Sequence, residues 1–259
     1  MKRKVTIVKV GGKIVETPES LSRLLQDFSA LEGEKVLVHG GGRTATDVAA
    51  QLGIQTQMVN GRRITDAEML RVVTMVYGGL VNKSLVAQLQ VHGVNALGLT
   101  GADINVIRSH RRPLKEGVDY GFVGDVDRVD GHRLTSLLAS GITPVMAPLT
   151  HDGKGSLLNT NADTIASETA KALANEGMEV TLVYCFEHAG VLTDPEREDR
   201  VIPLITRPTF EQLKADGTIS GGMLPKIENS LAAVEAGVKC VVITRADKIG
   251  CEAEGTRIE

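Results

Sequence analysis

Five short segments of this chain hold residue types suited to gripping an anion. Val8-Lys9-Val10-Gly11-Gly12 sets a lysine at the end of an apolar run and two glycines at its exit. Backbone N–H groups there can approach an anion with no side chain in the way. His39-Gly40-Gly41-Gly42 repeats the arrangement, and the helical pattern that begins at Arg43 would aim its amide-rich N-terminus at the same place. Gly221-Gly222-Met223-Leu224-Pro225-Lys226 sets a second lysine in the first turn of a helix. A cation there opposes the helix dipole, which points to an anionic partner. Asn60-Gly61-Arg62-Arg63-Ile64-Thr65 supplies guanidinium forks that can hold a carboxylate bidentately. Leu158-Asn159-Thr160-Asn161-Ala162-Asp163 places two amides and an acid just ahead of a helix. The shared chemistry is recognition of phosphate and carboxylate groups.

Each segment also has a plain structural explanation. The lysine–glycine run is an ordinary strand-to-loop turn, His39 a partly buried histidine closing a strand, and the two arginines surface groups of a hairpin. Asn161 is a helix cap and Asp163 a first-turn acid matching the dipole, which leaves Asn159 without an account. Lys83-Ser84 does not complete a Walker A loop, because Asn82 stands where glycine is needed and the segment reads as mid-helix. Gly40-Gly41-Gly42-Arg43 does not complete the dinucleotide fingerprint either. Asp125, Asp127 and Asp130 read as a solvated loop, and His151 to Gly155 as a turn.

These residues need elements to position them. β-branched apolar runs at 5–10, 35–39, 94–99, 142–147, 180–184 and 238–244 read as buried strands, and helical periodicity between them implies a parallel sheet. Leu21, Leu24, Leu25 and Phe28 mark a helix opened by Thr17-Pro18, and a second runs from Arg43 to Leu52. Thr65-Asp66-Ala67-Glu68 has the form of a capping box opening a long helix through about Gln90, with Gly78-Gly79 as a bend. Apolar residues recur at helical spacing from Ala162 to Leu173 and from Ile227 to Val234, so both helices should lie on the sheet. The composition breaks near Glu176-Gly177, the expected lobe boundary. A chain of 259 residues with 42% hydrophobic content suffices for one large α/β domain or two closely joined lobes. Its 29 basic and 32 acidic residues give a net charge of -3, and no basic field exists for nucleic acid. Cys185, Cys240 and Cys251 lack the spacing of a zinc site or a disulfide framework, no apolar stretch reads as long enough for a bilayer, and a cytoplasmic location is expected.

Taken together, VKVGG, HGGG, NGRRIT, NTNADT and GGMLPK resemble the amino acid kinase family in order and approximate spacing, over essentially the whole chain. The resemblance implies a three-layer αβα sandwich around a mainly parallel central sheet, of carbamate kinase-like fold. Residues 1–176 would form a lobe for an N-acylglutamate and for dimerisation, and residues 177–259 a nucleotide lobe. The implied activity moves the γ-phosphoryl group of ATP onto the side-chain carboxylate of an N-acyl-L-glutamate, acetyl or succinyl, in arginine biosynthesis. Carried over by position, Lys9 and Lys226 flank the travelling group and Asp163 orients them. The amides of Gly11, Gly12, Gly41 and Gly42 hold oxygens, with Gly41 and Gly42 on the substrate side. Arg63 and Asn159 grip the substrate's α-carboxylate. Glu187 and Gly190 lie in the nucleotide stretch, Glu187 where relatives carry Asp, and magnesium bridges the nucleotide phosphates without direct protein ligands. A carboxylate acceptor is already ionised at pH 7, so no general base is required. Arg62 stands where an apolar residue is common, which implies room for a larger or more acidic acyl group. A first strand beginning near residue 4 implies a homodimer without arginine feedback. A non-catalytic sensor of the same fold is the rival, against which the presence of both lysines speaks.

Overall fold

The apolar runs read from the sequence become neighbouring strands in a computed structural model that describes residues 2–11, 14–15, 17–59, 61–114, 117–194, 197, 200–250 and 254–259. Asn60, Cys251 and the site candidate Gly12 lie outside the described residues. Short 3-10 turns aside, the chain runs through β1 (Lys4–Val10), α1 (Pro18–Ala30), β2 (Glu34–His39), α2 (Gly42–Gln51), β3 (Met58–Val59) and β4 (Arg62–Arg63). There follow α3 (Ala67–Val91), β5 (Ala96–Leu99), β6 (Ile107–Arg111), β7 (Gly124–Val129), α4 (Gly131–Ala139), β8 (Thr143–Met146), β9 (Leu149–His151) and β10 (Leu157–Asn159). The remainder is α5 (Ala162–Asn175), β11 (Glu179–Phe186), β12 (Leu204–Ile205), α6 (Arg207–Ala215), α7 (Met223–Glu235), β13 (Cys240–Arg245) and β14 (Thr256–Ile258).

The main sheet has the order β12-β14-β13-β11-β1-β2-β8-β5. All six strands expected from the sequence form its contiguous parallel part, from β13 to β5. Side chains alternate across the sheet, so Val5 and Ile7 join one core and Val8 and Val10 the other. On the first face lie α5 and α7, through Ile165, Ala170, Leu173, Ile227 and Leu231. On the opposite face lie α1, α2 and α3, through Leu24, Phe28, Ala45, Met69 and Leu85. This is the expected α/β sandwich, with helices on both faces of a mainly parallel sheet. Lys9 shares its face with Val5 and Ile7, so the alternation directs it toward α5.

Several local expectations differ. The cap of α3 is Asp66, whose Oδ1 accepts from the Met69 N–H at 2.8 Å, so Thr65 does not form the capping box. Thr65 instead exchanges backbone hydrogen bonds with Tyr120 and Phe122. Gly78-Gly79, the expected bend, lies in a π-helical stretch, Thr74–Val81, through which the helix continues. By length and composition α3 is apolar enough to cross a bilayer, contrary to the sequence expectation. Val72, Val73, Val76 and Leu89 on it belong to the core beneath the sheet, so it is a core helix. Asp125 and Asp127 belong to β7 of a second, four-stranded sheet, β10-β9-β6-β7, and Asp130 caps α4. Cys185 and Cys240 are buried.

His39 closes β2 and is fully buried. Its Nδ1–H donates to the Gly40 carbonyl at 2.7 Å, and its Nε2 accepts from the Asn82 amide at 3.0 Å, which also donates to the Val145 carbonyl at 2.9 Å. Both ring nitrogens are thus used by a neutral imidazole that ties α3 to the sheet. Burial pushes the imidazole down to about 4. Unfolded, this group takes up a proton near pH 6.5, so the stability it contributes is complete above that value and is lost as pH falls toward 4. We expect wild-type unfolding free energy to drop by up to about 3 kcal/mol across that window. The His39→Gln variant should show a flatter acid limb in urea titrations run at successive pH values; an unchanged limb would refute the assignment.

Candidate active site

In a parallel sheet the carboxyl ends of the strands open onto a crevice. Lys9 sits at that end of β1, beside Val38 of β2 and Tyr184 of β11. Its Nζ lies 2.7 Å from Asp163 Oδ1. Asp163 is in the first turn of α5, fixed there by Asn161, whose side chain caps the helix by accepting from the Asp163 and Thr164 N–H groups at 2.8 and 3.1 Å. From the far end of the sequence, Lys226 of α7 brings its Nζ to 3.6 Å from Asp163 Oδ2. The two lysine side chains are only 14% and 13% exposed, so water screens them poorly. Lys226 also stands 4.0 Å from the centroid of the Phe186 ring and 5.4 Å from that of Tyr184, favourable for a cation over π faces. Tyr184 donates its hydroxyl to the Asp163 carbonyl at 3.3 Å.

The charges respond to this crowding. Burial pushes the Asp163 carboxyl up, but Lys9 and Lys226 outweigh it and hold the group below the usual carboxylate range. Burial pushes the Lys226 ammonium down, aided by Lys9, against the pull of Asp163. Two cations around one anion leave a net positive charge in a poorly solvated place, which is the electrostatics of an anion site.

A cleft of about 440 Å³ opens on the Asp163 and Lys226 side, lined also by Gly41, Gly42, Arg63 and Asn159. Gly41 adopts φ 151, and a Cβ on it would meet the Tyr77 ring at 3.0 Å, so glycine is required there. The Arg63 guanidinium is held by the start of α2: Nη2 donates to the Gly42 carbonyl at 2.7 Å and to Thr46 Oγ1 at 2.8 Å, and Nη1 donates to Thr56 Oγ1 at 3.1 Å. Asn159 donates its side-chain amide to Thr65 Oγ1 at 2.9 Å. A second cavity, about 360 Å³, is lined by Lys9, Gly11, Cys185, Phe186, Glu187 and His188 at the exits of β1 and β11. A third, about 330 Å³, shares Phe186 and Glu187 with it and reaches Arg23 and Arg245. Lys9 therefore lines one cavity while it pairs with an acid lining the other. Gly190 lines none of the three; a Cβ there would meet Thr256 Oγ1 and Val201 Cγ1 at 2.7 Å, so packing accounts for the glycine.

Other cleft residues were not singled out by sequence reasoning. Arg112 lines the cleft, with its Nε donating to both Asp125 oxygens at 3.1 Å, beside the exposed Arg62 already noted in the sequence. Tyr77 lines it too. Tyr184 and Phe186 had a usable signal: in a chain that is 3% aromatic, two aromatics stand at alternate positions at the end of a strand. Among the described residues no three His, Cys, Asp or Glu side chains are grouped to hold a metal ion. The arrangement can neutralise a polyanion between two cavities and grip a carboxylate at one side.

Comparison with known proteins adds to this geometry. The model of the amino acid kinase family matches residues 4–244. A protein named acetylglutamate kinase from Bacteroides thetaiotaomicron is 66% identical over 259 residues, covering all of both chains. A protein of the same name from Methanopyrus kandleri is 40% identical over 253 residues, 96% of this chain and 98% of its own. Among solved structures, carbamate kinase from Giardia lamblia bound to AMP-PNP has a TM-score of 0.69 at 14% identity, covering 99% of this chain and 98% of that one. N-acetylglutamate synthase from Neisseria gonorrhoeae has a TM-score of 0.83 at 23% identity over all of this chain, which spans 60% of that chain. At such identities the two structures speak for the fold alone.

Proposed function

The chain belongs to the amino acid kinase family, and on that premise we propose that it transfers the γ-phosphoryl group of ATP to the side-chain carboxylate of N-acetyl-L-glutamate, a step of arginine biosynthesis. The observation that carries this reading is the meeting of Lys9 and Lys226 on Asp163 where the cavities adjoin. In the proposed pose the substrate lies in the larger cleft, its α-carboxylate at Arg63 and Asn159 and its side-chain carboxylate toward Gly41, Gly42 and the lysines. The nucleotide enters from the side of Gly11 and Glu187. Magnesium would come with the nucleotide rather than through a cluster of protein ligands, and would add to the charge neutralisation that Lys9 and Lys226 provide. The acceptor needs no base, since a carboxylate is ionised at neutral pH. An in-line transfer then requires alignment and charge neutralisation, which two ammonium groups and backbone N–H donors provide. Residues 1–176 supply most of the substrate cleft, which Tyr184 and Lys226 complete, and 177–259 most of the nucleotide lobe, in the cytoplasm.

ADP release measured by a coupled assay, with and without N-acetylglutamate, tests the reading. Strict dependence on the acylamino acid is expected; nucleotide binding without turnover would favour a sensor. N-succinylglutamate provides a second arm: lower kcat/KM than with the acetyl substrate is expected, and the reverse would assign Arg62 to an acyl carboxylate. Arg63→Ala should raise the N-acetylglutamate KM by about 30–150-fold, the worth of about 2–3 kcal/mol for a charge-assisted pair, with the ATP KM unchanged. Equal change in both constants would contradict the placement.

The partner is a second copy of the chain. Met75, Leu80 and Val91 of α3 and Leu97 of β5, an end strand of the main sheet, are exposed large apolar groups. An uncovered strand edge beside apolar groups is a surface that association protects. Light scattering should give a dimer mass, reduced by Leu97→Lys; a monomeric wild type would contradict this.

A further inference from the structure

The geometry points to Tyr77 as a specificity residue: its phenol, bordering the same space as Arg63, donates its proton to the carboxylate that Arg63 grips. This rests on the function proposed above. The ring is 5% exposed, yet the residue lines the cleft together with Gly42, Arg63 and Asn159. A Cβ built on Gly42 would stand 4.0 Å from the Tyr77 hydroxyl and 3.9 Å from Arg63 Nη2. Hydroxyl and guanidinium therefore border the same small space above the glycine loop, and the ring itself is the surface against which Gly41 lies.

Arginine has only donors, so toward Arg63 the phenol oxygen can only accept, and the phenol proton is left for another acceptor. A substrate carboxylate at Arg63 would be that acceptor, gripped by a fork and a phenol at once. Burial pushes the Tyr77 phenol up despite Arg63, so it stays a protonated donor at neutral pH. Among the neighbouring buried residues of α3, Val72, Val73, Val76, Val81 and Leu85 are aliphatic, while the polar Asn82 is held by His39 and the Val145 carbonyl. Tyr77 also lies in the π-helical stretch Thr74–Val81, a local widening that recurs at functional sites.

Tyr77→Phe keeps the ring and removes the hydroxyl. With wild-type turnover of N-acetylglutamate established first, this variant should raise the N-acetylglutamate KM about tenfold, the worth of one hydrogen bond to a charged group, leaving kcat within twofold and the ATP KM unchanged. For the α-carboxamide analogue, poorly bound by wild type, the same substitution should change KM less than twofold. An unchanged N-acetylglutamate KM, an equal rise in the ATP KM, or an equal rise for the carboxamide would each overturn the inference while leaving the proposed function intact. A wild type silent toward N-acetylglutamate would remove the proposed function and this inference with it. Circular dichroism melts of both proteins should coincide, and if Tyr77→Phe fails to fold, wild-type KM for the carboxamide against the acid decides: equal values overturn the inference.

Discussion

Lys9→Met should lower kcat by about 10²–10³-fold, since one preorganised charge facing developing negative charge is worth roughly that much. Methionine keeps the length and apolar stem of lysine, so the change removes an ammonium group and little volume. The effect should fall on kcat, because the group is placed to act on the transferred phosphoryl, while either KM moves by only a few fold. Lys226→Met should behave alike, and the double variant should lose less than the product of the two, as expected of groups that share one task. Steady-state ADP release measures all three, and a Lys9→Met enzyme within fivefold of wild type would refute the role.

The second large effect concerns the acid between the lysines. Asp163→Asn leaves two poorly solvated ammonium groups facing each other without a counter-charge, and kcat should fall about 10²-fold as they move apart. Stability should drop as well, by roughly 1–3 kcal/mol, less than for a fully buried pair because the carboxylate is about a third exposed. The Asp163 carboxyl is held below its ordinary value in the folded chain. Its contribution is therefore complete above the unfolded value near 3.9 and fades as pH falls through the lower folded value. Wild type and variant should differ most near neutrality and converge in strong acid. Adding Lys226→Met to Asp163→Asn should recover part of the stability and none of the activity; recovery of activity would contradict the account.

How much of this was legible depended on how each residue advertises its environment. The parallel strands declare themselves because both faces are covered, which makes each a largely apolar run, as in Leu182 to Phe186 of β11. The second sheet does not. β6 reads Ile-Arg-Ser-His-Arg and β7 Gly-Asp-Val-Asp-Arg-Val, and their polar side chains are matched across the ladder by hydrogen bonds such as His110 with Asp127, a pattern that resembles a solvated loop. Thr65 and Asp66 both suit a helix cap, and the choice fell to Asp66 because Thr65 bridges to Tyr120, Phe122 and Asn159. Lys226 was legible as a cation where the helix dipole disfavours one. Tyr77 was hidden, since in a run of valines its ring fits the apolar pattern and only the fold reveals which side its hydroxyl reaches. Gly190 entered the nucleotide stretch through the family resemblance alone, and its neighbours are Thr256 and Val201, which no local pattern indicates.

The most direct measurement is a structure of the protein with ADP, magnesium, N-acetylglutamate and aluminium fluoride, the fluoride standing for the phosphoryl group in flight. The account predicts the fluoride within about 3 Å of both the Lys9 and Lys226 ammonium nitrogens, with the α-carboxylate of the substrate on Arg63. Fluoride bound at the nucleotide and touching neither ammonium group would contradict it.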